Sequence, residues 1–90
     1  MSIADFKSSL AKDGFTEVLN RELPADTVVS EHDHPFDARA LILSGEITLM
    51  VDGVSQTYRE GDVFNMAAGC RHQETIGSDG VSFISGRRYT

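Results

Sequence analysis

The sequence has a single cysteine, no tryptophan, two prolines and no apolar run near the ~20 residues of a membrane-spanning helix. A lone cysteine cannot close a disulfide within the chain, so covalent stapling is excluded. The opening Met1-Ser2-Ile3-Ala4-Asp5 lacks the basic and apolar regions of a secretory leader, and a cytoplasmic location is the default expectation. Basic residues are also scarce. Eight Lys and Arg against fourteen Asp and Glu give a formal net charge of -6, which disfavours nucleic acid or an anionic membrane surface as partner. What is present is ordinary for a soluble globular chain: 90 residues, 40% hydrophobic and 24% charged, enough for one domain spanning 1–90 and too little for two. So small a core without a disulfide must be closed by packing, by a metal or by a second subunit.

Ile3, Phe6 and Leu10 recur at helical spacing, with Ser2 as N-cap and Gly14 as stop, which predicts a short helix over about 2–13. From Gly14 the pattern changes. Thr27-Val28-Val29, Ala40–Leu43, Ile47–Val51, Val63-Phe64 and Val81–Ile84 are short β-rich runs. They are divided by turn signals at Pro24-Ala25-Asp26, Ser44-Gly45-Glu46, Asp52-Gly53, Glu60-Gly61-Asp62, Ala68-Gly69 and Gly77–Gly80. Asp52-Gly53 fits a two-residue type I′ hairpin, whose two central residues both need positive φ. The expected class is all-β, with seven or eight short strands over about 15–89. Closing them into a barrel or jelly roll removes most sheet edges and leaves a mouth for a small ligand.

Three histidines are the candidate ligands, and spacing alone leaves open whether the His32–His34 pair and the distant His72 share a metal or are unrelated. His32 and His34 are two residues apart, a spacing that on a strand puts both side chains on one face about 6.6 Å apart, with Asp33 on the other face. His72 follows 38 residues later, after the turn at Ala67-Ala68-Gly69. Three neutral imidazoles suit iron, zinc, copper or nickel and leave coordination positions for water or substrate.

The surrounding pattern resembles the two motifs of the cupin superfamily. The family's first motif runs Gly, five residues, His-x-His, three or four residues, Glu, six residues, Gly; here His32, His34 and Gly45 match. The second runs Gly, five residues, Pro-x-Gly, two residues, His, three residues, Asn; here Gly61, Gly69 and His72 match. Ala38 stands at the place of the metal-binding glutamate, Asp26 at the leading glycine, Ala67 at the proline and Ile76 at the asparagine. The resemblance implies a small single-domain cupin, a double-stranded β-helix after a short helix, with a mononuclear metal on His32, His34 and His72. Iron is the first expectation, with zinc, nickel or manganese as alternatives. Among cupins the three-histidine kind looks like the thiol and β-diketone-cleaving dioxygenases, so the implied activity is dioxygenase-like chemistry on a small organic substrate. The alternative is a non-catalytic module that binds or senses a small molecule, and in either case a homodimer is expected.

Further candidates surround these. Glu74, two residues past His72, should share its inward face, where a carboxylate could act as base, orient a ligand or serve as a fourth ligand; otherwise it is a rim residue. Asp37 could replace the missing glutamate only through a bulge, and Cys70 is a soft ligand or a small packed hydrophobe. Arg39 is expected to face outward, while one of Arg87 and Arg88 could reach the cavity and meet an anion. Ala38, Ala40 and Ile42 continue the histidine face; Met50, Phe64, Met66 and Phe83 are expected in the core or cavity wall, and Phe36 over the mouth or at a subunit contact. No Ser-His-Asp arrangement and no phosphate-cradling GxxxxGK pattern is present in the sequence.

Overall fold

The computed structural model describes residues 1–89. A helix, α1 (Ile3–Lys12), precedes six strands: β1 (Glu17–Leu23), β2 (Val28–His32), β3 (Phe36–Val51), β4 (Val54–Arg59), β5 (Val63–Met66) and β6 (His72–Tyr89). Among the described residues no helix is long and apolar enough to cross a membrane.

Two strands organise everything else. β3 has 16 residues and β6 has 18, and they pair antiparallel from Phe36↔Tyr89 through Ile42↔Phe83 and on to Met50↔Gln73. The outer half of this pair, near the chain's C-terminus, is flanked by β1 on β6 and by β5 on β3. The inner half is flanked by β2 on β6 and by β4 on β3. Each half is therefore a four-stranded layer, and the layers share two bent strands, giving the double-stranded β-helix. The eight segments agree with the strand count read from the sequence.

The sequence signals at Ser44-Gly45-Glu46 and Gly77–Gly80 prove to be bends within β3 and β6 and do not end a strand. The register shifts between Ile42 and Ser44 and again between Gly45 and Ile47. Gly45 takes φ +74, and a Cβ there would lie 1.9 Å from the Gly80 carbonyl oxygen, so both the dihedral and the close approach demand glycine. Asp52 and Gly53 adopt φ 51 and 78, as a type I′ hairpin requires. Asp26, at the place of the motif's leading glycine, also takes a positive φ of 59, so the backbone keeps the left-handed turn with an aspartate in it.

Strand alternation divides the apolar residues between two cores. Inside the barrel, Ala40, Ile42, Ile47, Leu49, Ile76, Val81 and Phe83 pack between the layers. Outside it, α1 lays Phe6 and Leu10 with Phe15 against Leu41 and Ile84 on the back of the β3–β6 pair. Ser2 caps the helix, its hydroxyl accepting from the Asp5 N–H at 3.0 Å. Phe6 and Leu10 have no exposed surface, and each contributes about 1.5–3 kcal/mol by burial. Ile3, the third residue of the helical pattern, stays exposed. β1 was not signalled by any β-rich run, because Glu17-Val18-Leu19-Asn20-Arg21-Glu22-Leu23 holds one β-branched residue; pairing with β6 makes it a strand.

Candidate metal centre

β2 ends at His32, which lies opposite His72 at the start of β6. His34 falls two residues beyond the strand, in the link to β3, so the same-face rule explains only part of the pairing. The chain turn nonetheless brings the three rings together. Their centroids lie 4.3 Å apart for His32 and His72, 4.8 Å for His32 and His34, and 5.0 Å for His34 and His72. One ring nitrogen from each lies within 4.8 Å of the others.

Hydrogen bonds set the tautomers of two rings. His32 Nδ1 lies 2.7 Å from the Ser30 carbonyl oxygen and His72 Nδ1 lies 2.9 Å from that of Cys70. A carbonyl only accepts, so each Nδ1 carries the hydrogen and donates, leaving each neutral ring a lone pair on Nε2. This is the outer-shell support by which metal-ligating imidazoles are oriented. His34 stacks on Phe36 with centroids 4.7 Å apart. Burial, and then the neighbouring His72, His32 and Arg87, push its pKa below the ordinary histidine value, which favours the neutral ring with a lone pair free on one nitrogen.

Glu74 completes the cluster. Its Oε2 lies 3.2 Å from His32 Nε2 and 3.8 Å from His72 Nε2. With the rings neutral, these are contacts between electron-pair donors, which repel unless a proton or a cation lies between them. Donors about 2.1 Å from one metal ion stand about 3.0–3.4 Å apart in octahedral or tetrahedral geometry, close to the shorter of these distances. The donor set therefore fits a divalent transition metal, with three imidazoles and a nearby carboxylate.

The cluster opens into a cavity of about 170 Å³ whose wall includes Ala38, Leu49, Met66 and Phe83 as well as Arg21 and Arg87. Ala38 is thus at the site, and no acidic side chain projects from that position. Asp37 faces away, accepting from the Ala68 N–H at 2.8 Å and from Arg88 Nε and Nη2 at 3.1 and 2.9 Å, and does not replace the missing glutamate. Cys70 contributes its carbonyl to His72 while its thiol packs against the barrel core, outside the imidazole cluster. Arg39 lies on the outer face as expected, bound to Asp13 at 2.7 Å and stacked on Phe15.

Phe64, Met66 and Phe83 line the cavity, but Met50 is 42% exposed, on the outward side of β3 next to the hairpin. Phe36 is buried in the cavity wall, stacked on His34. Arg21 was missed by the sequence reading because β1 was missed with it; strand alternation through Leu19, Arg21 and Leu23 was the available signal.

A jelly-roll barrel with three imidazoles clustered at one end of its interior defines the class: a barrel protein whose histidines could hold a metal ion. The family pattern of the cupin domain matches residues 21–84, and the chain belongs to the cupin family. Among solved structures it is similar to a cupin protein from Bacteroides fragilis, with 26% identity and a TM-score of 0.68 over 81% of this chain and 64% of that one. It is also similar to the cupin domain of Cnp3 from Schizosaccharomyces pombe (17%, TM-score 0.73, 81% and 55%) and to KdgF from Halomonas sp. (15%, TM-score 0.66, 81% and 68%). The chain thus spans between about half and two thirds of these relatives. No curated protein matches its sequence.

Proposed function

We propose that this cupin holds one divalent transition metal on His32, His34 and His72 and acts on a small organic molecule in the adjoining cavity, by dioxygenase-like chemistry when the metal is iron. The observation that carries this reading is the cluster of His32, His34 and His72, one ring nitrogen of each within 4.8 Å of the others, with the Nδ1 atoms of His32 and His72 given to backbone carbonyls and their Nε2 atoms beside the Glu74 carboxylate. A bound metal supplies Lewis acidity, redox capacity if it is iron, and the coordination positions that three imidazoles leave open. The protein's own groups do the rest. Ser30 and Cys70 hold two rings in place through their carbonyls, and Phe36 backs the third. Glu74 is the group positioned to take a proton from a bound substrate or to complete the metal's environment. The apolar wall of Leu49, Met66 and Phe83 excludes water from the rest of the ligand.

The test is metal analysis of protein purified without chelator or nickel resin, beside His72→Ala. Stoichiometric iron that disappears in the variant, together with oxygen consumption on a small-molecule panel, is the expected result. Metal that is substoichiometric and unchanged by the substitution would sink the proposal. Stoichiometric metal with no turnover of any compound would favour the binding module instead.

A further inference from the structure

Alternation along β6 turns Phe83, Ser85 and Arg87 toward the cavity. Arg87 lies directly across from Ala38, the position at which the first motif would carry its carboxylate. Its guanidinium carbon sits 4.4 Å from the Phe36 ring centroid, and Phe36 in turn stacks on His34. The charge is thus one aromatic ring away from the imidazole cluster. One end of the guanidinium faces Glu17, with Nη1 and Oε1 3.5 Å apart, longer than a good hydrogen bond. Its Nε is buried and has no acceptor among the described residues. The side chain as a whole keeps 22% of its surface exposed, so a guanidinium held only by the long contact to Glu17 has terminal donors left for an acceptor from the cavity.

The charge balance points the same way. The chain carries a net charge of -6, yet the cavity wall holds two arginines, Arg21 and Arg87, against one carboxylate, Glu74. Ala38 leaves room in front of Arg87 where a longer acidic side chain would both fill the space and neutralise it. The cavity of about 170 Å³ is roughly five to six water volumes, enough for an acid of several heavy atoms.

We propose that Arg87 is the anchor for a small organic acid, whose carboxylate lies over Ala38 and accepts from the terminal guanidinium nitrogens of Arg87, and whose other end extends toward the histidines. The carboxylate replaces the negative charge that Ala38 withholds. Arginine suits this role because its planar fork offers two terminal nitrogens side by side to two carboxylate oxygens. The identity of the ligand's class deepens the proposed function and rests on it for the ligand's orientation, while the anchor itself needs only the cavity.

Calorimetric titration of pyruvate and benzoate, with pyruvamide and benzamide as uncharged counterparts, tests the anchor in metal-loaded and metal-free protein. The acids are expected to bind about tenfold or more tightly than the amides. Arg87→Gln is expected to abolish that difference without changing metal content, and Arg87→Lys, which keeps the charge but lacks the planar fork, to restore little of it. Circular dichroism confirms that each variant is folded, and the lysine variant serves if the glutamine variant is not. Equal binding of acids and amides, no binding of either acid, or wild-type acid affinity in Arg87→Gln would overturn the proposal. Acid selectivity that follows Arg87 in protein that takes up no metal even when metal is supplied would overturn the metal reading alone.

Discussion

Glu74 Oε2 lies 3.2 Å from His32 Nε2, while the Nδ1–H of the same ring is already given to the Ser30 carbonyl. When the ring is neutral, the carboxylate and the imidazole direct electron pairs at one another, and a proton or a metal cation between them relieves the repulsion. This geometry puts into the barrel, from β6, the acidic group that β3 lacks at Ala38.

Glu74→Gln follows directly. Its amide removes the negative charge and can donate a hydrogen to His32 Nε2, occupying the lone pair. Metal affinity, measured by competition with a chromogenic chelator, is expected to fall about 10–100-fold. Unchanged affinity would show that the carboxylate lies outside the metal's environment.

Ala38→Glu reverses the departure from the family motif. The new carboxylate would enter the cavity opposite Arg87 and beside the imidazoles. Tighter metal retention in the chelator assay and weaker benzoate binding are expected together. Unaltered benzoate binding would mean that the space over Ala38 is not where acids sit.

Gly45→Ala probes the bend that joins the two layers. Holding alanine at φ +74 costs about 1–3 kcal/mol, and the contact of its Cβ with the Gly80 carbonyl adds to that. A large drop in the urea midpoint is expected. A loss within the scatter of exposed-site substitutions would show that β3 can relax there.

Acid should act through Asp37. The Ala68 N–H, and then Arg88, hold its pKa below the ordinary 3.8. Because the folded value is the lower one, the stabilisation is fully present above the unfolded value and is lost as pH falls through the folded value. Asp37→Asn is expected to lower stability at neutral pH and to flatten the acid limb of a plot of urea midpoint against pH below about 4. An acid limb identical to wild type would assign that slope to other carboxylates.

Much of this architecture was legible because it depends on local patterns. The Asp52-Gly53 hairpin, the cap at Ser2 and the inward face through Ala38, Ala40 and Ile42 follow from backbone dihedral preferences and a two-residue alternation, which the order of residues states outright. The bends at Gly45 and Gly77–Gly80 looked like strand ends, since a glycine in a turn and a glycine in a bulge have the same local signature. Met50 was misplaced for a related reason. Register fixes which face a residue takes, and β3 changes register twice before reaching it.

The sequence by itself determined the chemistry of the donors: three imidazoles, an alanine where a carboxylate would stand, and a net negative chain. Side-chain identity is a local fact, and motif spacing carries it. Only the tertiary structure decided which groups meet. His34 leaves its strand yet rejoins His32 because the chain turns before β3; Glu74 reaches the imidazoles because β2 pairs with β6; and Arg87 faces Ala38 because β3 and β6 run antiparallel along most of their length. The last two contacts join residues tens of positions apart, and strand register, which no short stretch of sequence encodes, sets each of them.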